Sequence, residues 1–272
     1  MTFAAALGTS PTRMARTISR NSRLLASITR VELAKRHAGS VLGLAWVVLQ
    51  PALLLAVYLF VYMVVFKIRF PGYSRLDYVL YVFCGLVPYL GFMEALTSGG
   101  VSIKQNIHLV KNVMLPIELI PVRAVLVGMT SQFVSLGIVL VMSALSGALP
   151  WRVIFLPAAL GFEILWLVGL TWILSSLTVA LPDVTYFVNL FIFLLMFVSP
   201  IGFRTDMVPE QLRMTLYLNP VFYMTQAFRA TLLSGEHASA SVWAVYGIMS
   251  VGLFIVGSAF FLTFKDVLVD YE

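Results

Sequence analysis

The amino-acid sequence predicts an all-α membrane protein that crosses the bilayer six times. Hydrophobic residues make up 60% of the 272 residues and charged residues only 11%, whereas a soluble domain has about a quarter charged residues. Six apolar stretches each approach or exceed the ~20 residues that a helix needs to cross the hydrocarbon. Between the fifth and sixth stretches, residues 200–235 are too polar and too often interrupted by proline to form another crossing.

The N-terminal segment, residues 1–40, is basic and precedes the first span. Residues 1–16 are small, polar and basic, and we expect them to be loosely ordered. Residues 17–38 have apolar side chains at helical spacing between Leu24 and Val31, which predicts an amphipathic helix at the membrane interface. The pattern fits a topology anchor and a partner-docking helix equally well. No continuous apolar core of a cleaved signal peptide is visible in this segment.

The six spans form a membrane domain over residues 41–264, and residues 265–272 form a C-terminal tail. The spans are predicted at residues 41–66, 78–96, 117–145, 154–181, 184–199 and 242–264. An even number of spans places both termini on one side of the membrane. Seven of the 18 Lys and Arg residues precede the first span. Because positive residues concentrate on the cytoplasmic side, we expect both termini in the cytoplasm.

Residues 97–116 form the longest polar stretch between the first and last spans, and they are cytoplasmic in this orientation. Apolar residues recur at helical spacing from Val101 to Val113, with Lys104 and Lys111 between them. This spacing predicts an amphipathic helix. A merely solvated loop does not need an apolar face, so the pattern favours docking onto a partner.

Catalytic chemistry finds little support in the sequence. The motifs GxxxxGK[ST], GxSxG and HExxH are absent, the three histidines lack metal-ligand spacing, and the lone Cys84 excludes an internal disulfide. Glu94, Glu118 and Arg123 lie near predicted span ends, and Glu163 lies nearer the middle of the fourth span. Structural roles are favoured over a proton relay for these residues. An ion-coupled transporter and a membrane-embedded enzyme acting on lipid-linked sugars remain alternatives.

Three motifs in register resemble the permease subunits of ABC type-2 exporters of bacterial polysaccharides. They are RVELAKRHAGSVLGLAWVVLQP, NIHLVKNVMLPIELIPV, and LPDVTYFVNLFIFLLMFVSPIGF followed by VPEQLRMTLYLNPVFYMTQAFRATLLSG. The resemblance covers residues 30 to about 264. It is greatest to permeases of lipid-linked O-antigen export, with capsule and teichoic acid exporters as near relatives. The chain departs from the family at Pro182-Asp183, where many members have Arg-Asp; Asp183 is still expected to cap the following helix.

The resemblance implies a homodimer of this chain, assembled in the bacterial inner membrane with two copies of a cytoplasmic ATP-hydrolysing subunit. This chain would bind no cofactor or metal, since ATP and Mg²⁺ belong to the partner, and it would bind membrane lipids and a lipid-linked polysaccharide but no nucleic acid. A small-molecule or drug exporter of the same superfamily is the nearest alternative. Residues 97–116 would be a coupling helix that contacts the ATPase together with the N-terminal helix. The expected contact residues are Lys104, Gln105, Asn106, His108, Leu109, Lys111, Arg30 and Arg36.

The resemblance also implies that spans 1 and 5 line the path of the glycan. Sugars stack on aromatic faces while their hydroxyls meet a few polar groups. Taken singly, each aromatic residue also fits an interfacial belt or simple helix packing. The expected lining residues are Trp46, Gln50, Tyr58, Tyr62, Tyr186, Asn189 and Phe193.

Residues 200–235 are expected on the outer side as two short re-entrant helices, at about 209–218 and 220–233. In the homodimer they would flank the exit and close it to ions when no glycan is present. The proposed gate residues are Pro200, Asn219, Pro220, Phe222, Tyr223 and Arg229. The charged residues of the segment are expected to face water or each other rather than lipid; they are Arg204, Asp206, Glu210, Arg213 and Arg229.

Overall fold

The structure is a computed structural model that describes residues 3–36, 39–65, 74–106, 115–147 and 149–270. These ranges are helical, as predicted, and contain no β-strand. We number the longer helices in chain order: α1 (Phe3–Arg20), α2 (Ser22–Arg36), α3 (Trp46–Phe60), α4 (Arg75–Gly100), α5 (Leu119–Leu145), α6 (Leu156–Ala180), α7 (Val184–Val198), α8 (Glu210–Leu218), α9 (Pro220–Leu232) and α10 (Ala240–Asp270).

Within the described residues, four helices are long and apolar enough to cross a membrane: α4, α5, α6 and α10. Helices α3 and α7 are also apolar but have 15 residues each. That length corresponds to about 22 Å at 1.5 Å per residue, against a hydrocarbon thickness of about 30 Å. Helix α3 continues into a π-helical turn at Val61–Val65. The chain is therefore a multi-pass membrane protein, and six crossings stay a prediction for α3 and α7.

The bundle has two ends, which we call the Glu118 end and the Asn219 end. At the Glu118 end, Lys265 Nζ near the end of α10 lies 2.6 Å from Glu118 Oε1, just before α5. At the Asn219 end, the Ser143 hydroxyl near the end of α5 donates to the Leu232 carbonyl of α9 across 2.8 Å. Helix α5 therefore runs from the Glu118 end to the Asn219 end, and α10 runs back.

The centre of the bundle is α6, which packs against α10 and α4. Gly169 of α6 and Gly257 of α10 let the two backbones touch, since a Cβ on either residue would overlap main-chain atoms of the other helix. Small residues allow this close approach between membrane helices. About one turn before Gly169, the rings of Phe92 of α4 and the buried Trp166 stack with centroids 4.8 Å apart. Helices α4, α6 and α10 thus share one apolar core.

The N-terminal segment is more ordered than the sequence predicts. The expectation of a loose stretch over residues 1–16 is wrong, because α1 begins at Phe3 and packs along α10. Ser10 Oγ lies 3.0 Å from Ser258 Oγ, and Met14 is fully buried. Small side chains give a weak hydropathy signal, yet they let helices pack closely. The single helix predicted over residues 17–38 is divided between α1 and α2 at Asn21.

Candidate functional site

Helix α7 has one strongly exposed face. Tyr186 is 75% exposed and Phe193 is 55% exposed, and Asn189 is exposed as well. These three residues lie within about 60° of arc on a helix that turns about 100° per residue. The other side, with Ile192 and Leu195, is buried, and α7 packs against α4 and α6. Helix α7 therefore presents two aromatic rings and one amide away from the rest of the chain.

Asp183 lies at the start of α7. The prediction that its side chain caps this helix is wrong. Its side chain forms no capping hydrogen bond. A capping residue has extended backbone angles, which turn its side chain towards the first free N–H groups of the helix. Asp183 has φ −67° and ψ −18°, so its backbone is already helical and its carboxylate does not reach them.

The predicted lining residues of α3 are divided between two sides of the helix. Gln50 is exposed, and Trp46 lies one turn before it on the same side. Tyr58 lies towards the buried side, and its hydroxyl is 3.6 Å from Met196 Sδ of α7. Tyr58 therefore packs between α3 and α7, away from the exposed side of Gln50. The side chain of Tyr62 lies outside the described part of the chain.

The two short helices after α7 begin and end within one residue of the prediction. Asn219 Oδ1 accepts from the Val221 N–H across 2.9 Å and caps α9. Its Nδ2 donates to Ser199 Oγ across 2.9 Å. Pro220 occupies the first position of α9, where a missing N–H costs nothing, and Pro200 is buried just after α7. Because Asn219 is only 5% exposed, this junction is a fixed corner between α7 and α9.

Arg229 of α9 is fully buried. Its Nε donates to the Tyr81 carbonyl across 3.2 Å, and its Nη2 donates to the Ile201 carbonyl across 2.7 Å. Its Cζ lies 3.7 Å from the centre of the Tyr81 ring, a cation–π contact. Gly85 leaves room for the guanidinium, since a Cβ there would lie 2.8 Å from Nη2. Of the two surroundings predicted for Arg229, water or another charged residue, water is therefore wrong, because the guanidinium finds its acceptors inside the bundle.

Arg152, just before α6, holds the other end of α9. Its Nε donates to the Ala230 carbonyl across 3.0 Å, and its Nη2 donates to the carbonyls of Ser234 and Glu236 across 3.2 and 2.9 Å. These acceptors lie in and after the last turn of α9, where carbonyls lack helical partners and carry partial negative charge. Helix α9 is thus held at its start by Asn219 and at its last turn by Arg229 and Arg152, which makes it a rigid element.

The other charged residues of the segment pair locally, as predicted. Arg204 Nε lies 3.3 Å from Asp206 Oδ1. Arg213 Nη1 lies 4.0 Å from Glu210 Oε1, one turn away on α8. These four side chains are partly or fully exposed, so the pairs are weak.

Phe222 and Tyr223, two of the predicted gate residues, join α8 to α9. The Phe222 ring is buried and meets Tyr217 and Tyr223 edge to face, with centroids 5.4 and 5.2 Å apart. The Tyr223 hydroxyl donates to the Tyr217 carbonyl across 2.8 Å. The three rings therefore form one aromatic cluster at the Asn219 end.

At the Glu118 end, ion pairs join α2 to the spans. Glu32 Oε2 lies 3.7 Å from Arg123 Nη1, and Arg36 pairs with Glu94 of α4. Glu118 pairs with α10, as described above. Glu94, Glu118 and Arg123 therefore each have a partner on another helix, which agrees with the structural roles favoured by the sequence. Arg36, expected to contact an ATPase, is already bonded within this chain.

The described part of residues 97–116 begins inside α4, which continues to Gly100. Residues 102–106 are helical; Ile103 is buried, and Asn106 Nδ2 donates to the Ser102 carbonyl across 2.8 Å. The exposed residues among the predicted partner contacts are Lys104, Gln105, Arg30 and Arg36. The contacts that lie outside the described residues are His108, Leu109 and Lys111. Ile103 thus anchors residues 102–106 to the bundle, while the side chains of Lys104 and Gln105 remain accessible.

Glu163 of α6 and Gln132 of α5 form a buried polar pair. Gln132 Nε2 donates to Glu163 Oε2 across 2.6 Å, and the two side chains are 1% and 0% exposed. Among the described residues, the Oε1 atoms of both side chains have no hydrogen-bond partner. This hydrogen bond joins α5 to α6, and among the described residues no further partner continues it.

Sequence reasoning did not single out Gln132, Arg152 or Tyr81. A glutamine in the middle of an apolar span is itself a signal, because its buried amide needs a partner. Arg152 and Tyr81 gave no such signal, since basic and aromatic residues are ordinary near span ends. Only the three-dimensional structure shows that both side chains contact α9 and its surroundings.

Comparison of the amino-acid sequence with known proteins identifies the family. The family model described as ABC-2 type transporter matches residues 23–233. The O-antigen export system permease protein RfbA of Myxococcus xanthus is 25% identical over 252 residues, which cover 92% of this chain and 95% of the relative. The protein of the same name from Klebsiella pneumoniae is 26% identical over 249 residues, which cover 89% and 92%.

The family match extends from α2 to the end of α9 and so includes α3, α7 and the corner at Asn219. It covers well over half of the chain. The chain therefore belongs to the ABC-2 type transporter family.

Proposed function

We propose that this chain is the permease subunit of an exporter that moves O-antigen, or a similar lipid-linked polysaccharide, across the inner membrane of a bacterium. The observation that carries the proposal is the end-to-end match with O-antigen export permeases, which covers 92% of this chain and 95% of one relative. A match of this extent supports a shared role for the whole subunit rather than one shared motif. The family supports transport, and not catalysis, as the task of this chain.

The energy for transport comes from a separate ATP-hydrolysing subunit, which binds ATP and Mg²⁺. The absence of a GxxxxGK[ST] loop in this chain supports this division of labour. Lys104, Gln105 and Arg30 offer an exposed polar surface at the Glu118 end. Ile103 anchors the helix of residues 102–106 to the bundle. A movement of this helix by the ATP-hydrolysing subunit is therefore transmitted to α4.

Two copies of the chain meet through α3 and α7. Large apolar side chains are exposed along both helices, including Leu53, Phe187 and Phe197. Two such faces enclose a path lined by aromatic rings and by the amides of Gln50 and Asn189. This lining suits a glycan, because pyranose rings stack on aromatic faces while hydroxyls require polar partners. Tyr58 holds α3 to α7 beside this path.

Helices α8 and α9 form the outer gate. The Glu118 end is cytoplasmic in this proposal, because seven Lys and Arg residues precede α3, and the Asn219 end then faces outward. Asn219, Arg229 and Arg152 fix α9 to its surroundings. A rigid gate of this kind opens when the helices that carry it move, not when it bends.

Surface display of O-antigen tests the proposal. Deletion of the gene should remove the ladder of long chains from lipopolysaccharide, and the wild-type chain should restore it. A hydrolysis-dead partner ATPase should abolish the ladder again while lipid-linked glycan accumulates inside the cell. Continued export with the dead ATPase would contradict ATP-driven transport.

The deletion strain also distinguishes the substrate. A normal O-antigen ladder with loss of capsule would identify a capsule exporter instead. A change confined to drug sensitivity would identify a small-molecule exporter.

A further inference from the structure

A cavity of about 480 Å³ opens at the Asn219 end. Its walls come from α4, from the segment around Arg204, from α8 and α9, from residues 236–239 and from the first turns of α10. Neither α3 nor α7 contributes a lining residue. The cavity is therefore separate from the proposed path between two copies. Its volume lies in the range of about 300–1,000 Å³ that small-molecule sites occupy.

One wall of the cavity is the aromatic cluster of Tyr217, Phe222 and Tyr223. The edge-to-face contacts and the hydrogen bond from the Tyr223 hydroxyl to the Tyr217 carbonyl fix the orientation of these rings. Tyr217 is 53% exposed, so part of its ring is open to a ligand. A fixed, partly open aromatic ring is a surface on which the C–H face of a sugar stacks.

Other lining residues of the cavity carry polar groups. The ring of Tyr81 is held between the Arg229 guanidinium and the segment after α7, where its hydroxyl donates to the Phe203 carbonyl across 3.3 Å. Gln226, one turn after Phe222, is half-buried, and no hydrogen bond to its side chain is found within the described residues. Its amide offers donors and an acceptor at once, which is what a sugar hydroxyl needs.

The charged residues that line the cavity limit the class of ligand that it can bind. Arg204 and Glu236 both line the cavity, so neither a strongly anionic nor a strongly cationic ligand is favoured throughout. A purely apolar ligand would leave the half-buried Gln226 amide unpaired, which is costly. A ligand with one apolar face and several hydroxyls satisfies both walls.

We propose that this cavity binds a hexopyranose unit, as a sugar subsite at the outer mouth of the transporter and apart from the α3–α7 path. The position on the outer side rests on the proposed function. The sugar comes either from the exported glycan as it leaves the gate or from a free oligosaccharide outside the membrane. The binding chemistry is the same for both sources.

Ligand-observed saturation-transfer NMR on the full-length chain in nanodiscs tests the binding. The probes are the methyl glycosides of glucose, galactose, mannose and N-acetylglucosamine. At least one probe should bind, and Tyr217→Ala and Gln226→Ala should each weaken its binding by about tenfold. Tyr217→Phe, which keeps the ring, and Gln211→Ala, on the exposed side of α8, should leave binding unchanged. Absence of binding by every probe, or equal binding by all variants, would overturn the proposal.

The same variants in the export assay identify the source of the sugar. Slower export or a shifted chain-length distribution for Tyr217→Ala and Gln226→Ala would identify the exported glycan as the ligand. Lost binding with unchanged export would identify a free oligosaccharide. The NMR result stands even if the deletion strain displays normal O-antigen, so failure of the subsite and failure of the proposed function are distinguishable.

Discussion

Asn219 Nδ2 donates a hydrogen bond to Ser199 Oγ across 2.9 Å and joins the end of α7 to the start of α9. The same side chain caps α9 through its Oδ1. One buried residue thus connects a helix of the proposed path to a helix of the proposed gate. In the proposed mechanism, this corner would carry a displacement of α7 to α9.

Replacing Asn219 should destabilise this corner in two separable steps. Asn219→Ala removes the cap and the bond to Ser199, and loss of the cap alone costs about 0.5–2 kcal/mol. Asn219→Asp keeps an acceptor for the Val221 N–H but lacks the Nδ2 donor, so its loss should be smaller. Thermal unfolding of the purified protein should rank wild type, Asn219→Asp and Asn219→Ala in falling order. Asn189→Ala, at an exposed position of α7, is the matched control, and an equal midpoint for both alanine variants would contradict the prediction.

The gate itself is tested by ion leakage. Replacing both Asn219 and Pro220 by alanine should let small ions leak through membrane vesicles, because the corner that holds α9 is lost. The leak is measured as the decay of a potassium gradient. Tight vesicles from a strain that still exports glycan would count against a gate at this position.

Gly85→Ala should displace the Arg229 side chain. The new Cβ would lie 2.8 Å from Arg229 Nη2 and 3.5 Å from Ile201 Cα, so the guanidinium has to leave its carbonyl acceptors. We expect a loss of about 1–3 kcal/mol in the free energy of unfolding. Gly137→Ala is the matched control, because a Cβ at Gly137 meets no atom within 4 Å; it should be neutral or stabilising by up to about 1 kcal/mol.

A double variant tests whether Gly85→Ala lowers stability through its contact with Arg229. With Arg229→Met already in place, Gly85→Ala should cost much less than it does in the wild type, because residues in contact do not act additively. Chemical denaturation of the four proteins gives the coupling free energy. Simple additivity would show that Gly85 acts through some other neighbour.

The long spans and the short gate helices follow from the sequence, whereas the contacts between them do not. Helices α4, α5, α6 and α10 are long apolar runs, and Pro209 and Pro220 mark the starts of α8 and α9. The contact between Arg229 and Tyr81 joins residues 148 positions apart, and no local pattern encodes it. Helix α1 escaped prediction because its small residues pack closely without a strong hydropathy signal.

In the candidate site, too, some features follow from the sequence and others depend on contacts between helices. The aromatic and amide residues on α7 share one exposed face, which helical spacing alone predicts. Tyr58 differs, because its packing against Met196 depends on how α3 lies beside α7. A set of aromatic residues selected by type therefore includes both lining and packing residues.

Arg30 and Arg36 of α2 should behave differently, although both are expected to contact the ATPase. Both side chains are exposed, but Arg36 is paired with Glu94 of α4. Arg30→Glu should lower copurification of the ATPase partner and leave the thermal midpoint of this chain unchanged. Arg36→Glu should lower the midpoint, because it places two like charges together between α2 and α4. A lower midpoint for Arg30→Glu would contradict an accessible docking role.

Glu163→Gln distinguishes ATP-driven export from ion-coupled transport. The substituted amide is nearly isosteric with the carboxylate and retains an oxygen that accepts from Gln132 Nε2, which lies 2.6 Å from Glu163 Oε2 in the wild type. If the pair only joins α5 to α6, export should stay within about twofold of wild type, which is below ~1 kcal/mol. Glu163→Leu leaves the Gln132 amide buried without a partner and should cost about 1–3 kcal/mol of stability, and adding Gln132→Leu should recover much of that loss. Loss of export by Glu163→Gln at a normal protein level, together with export that survives a dead ATPase, would show that the carboxyl group itself carries the coupling.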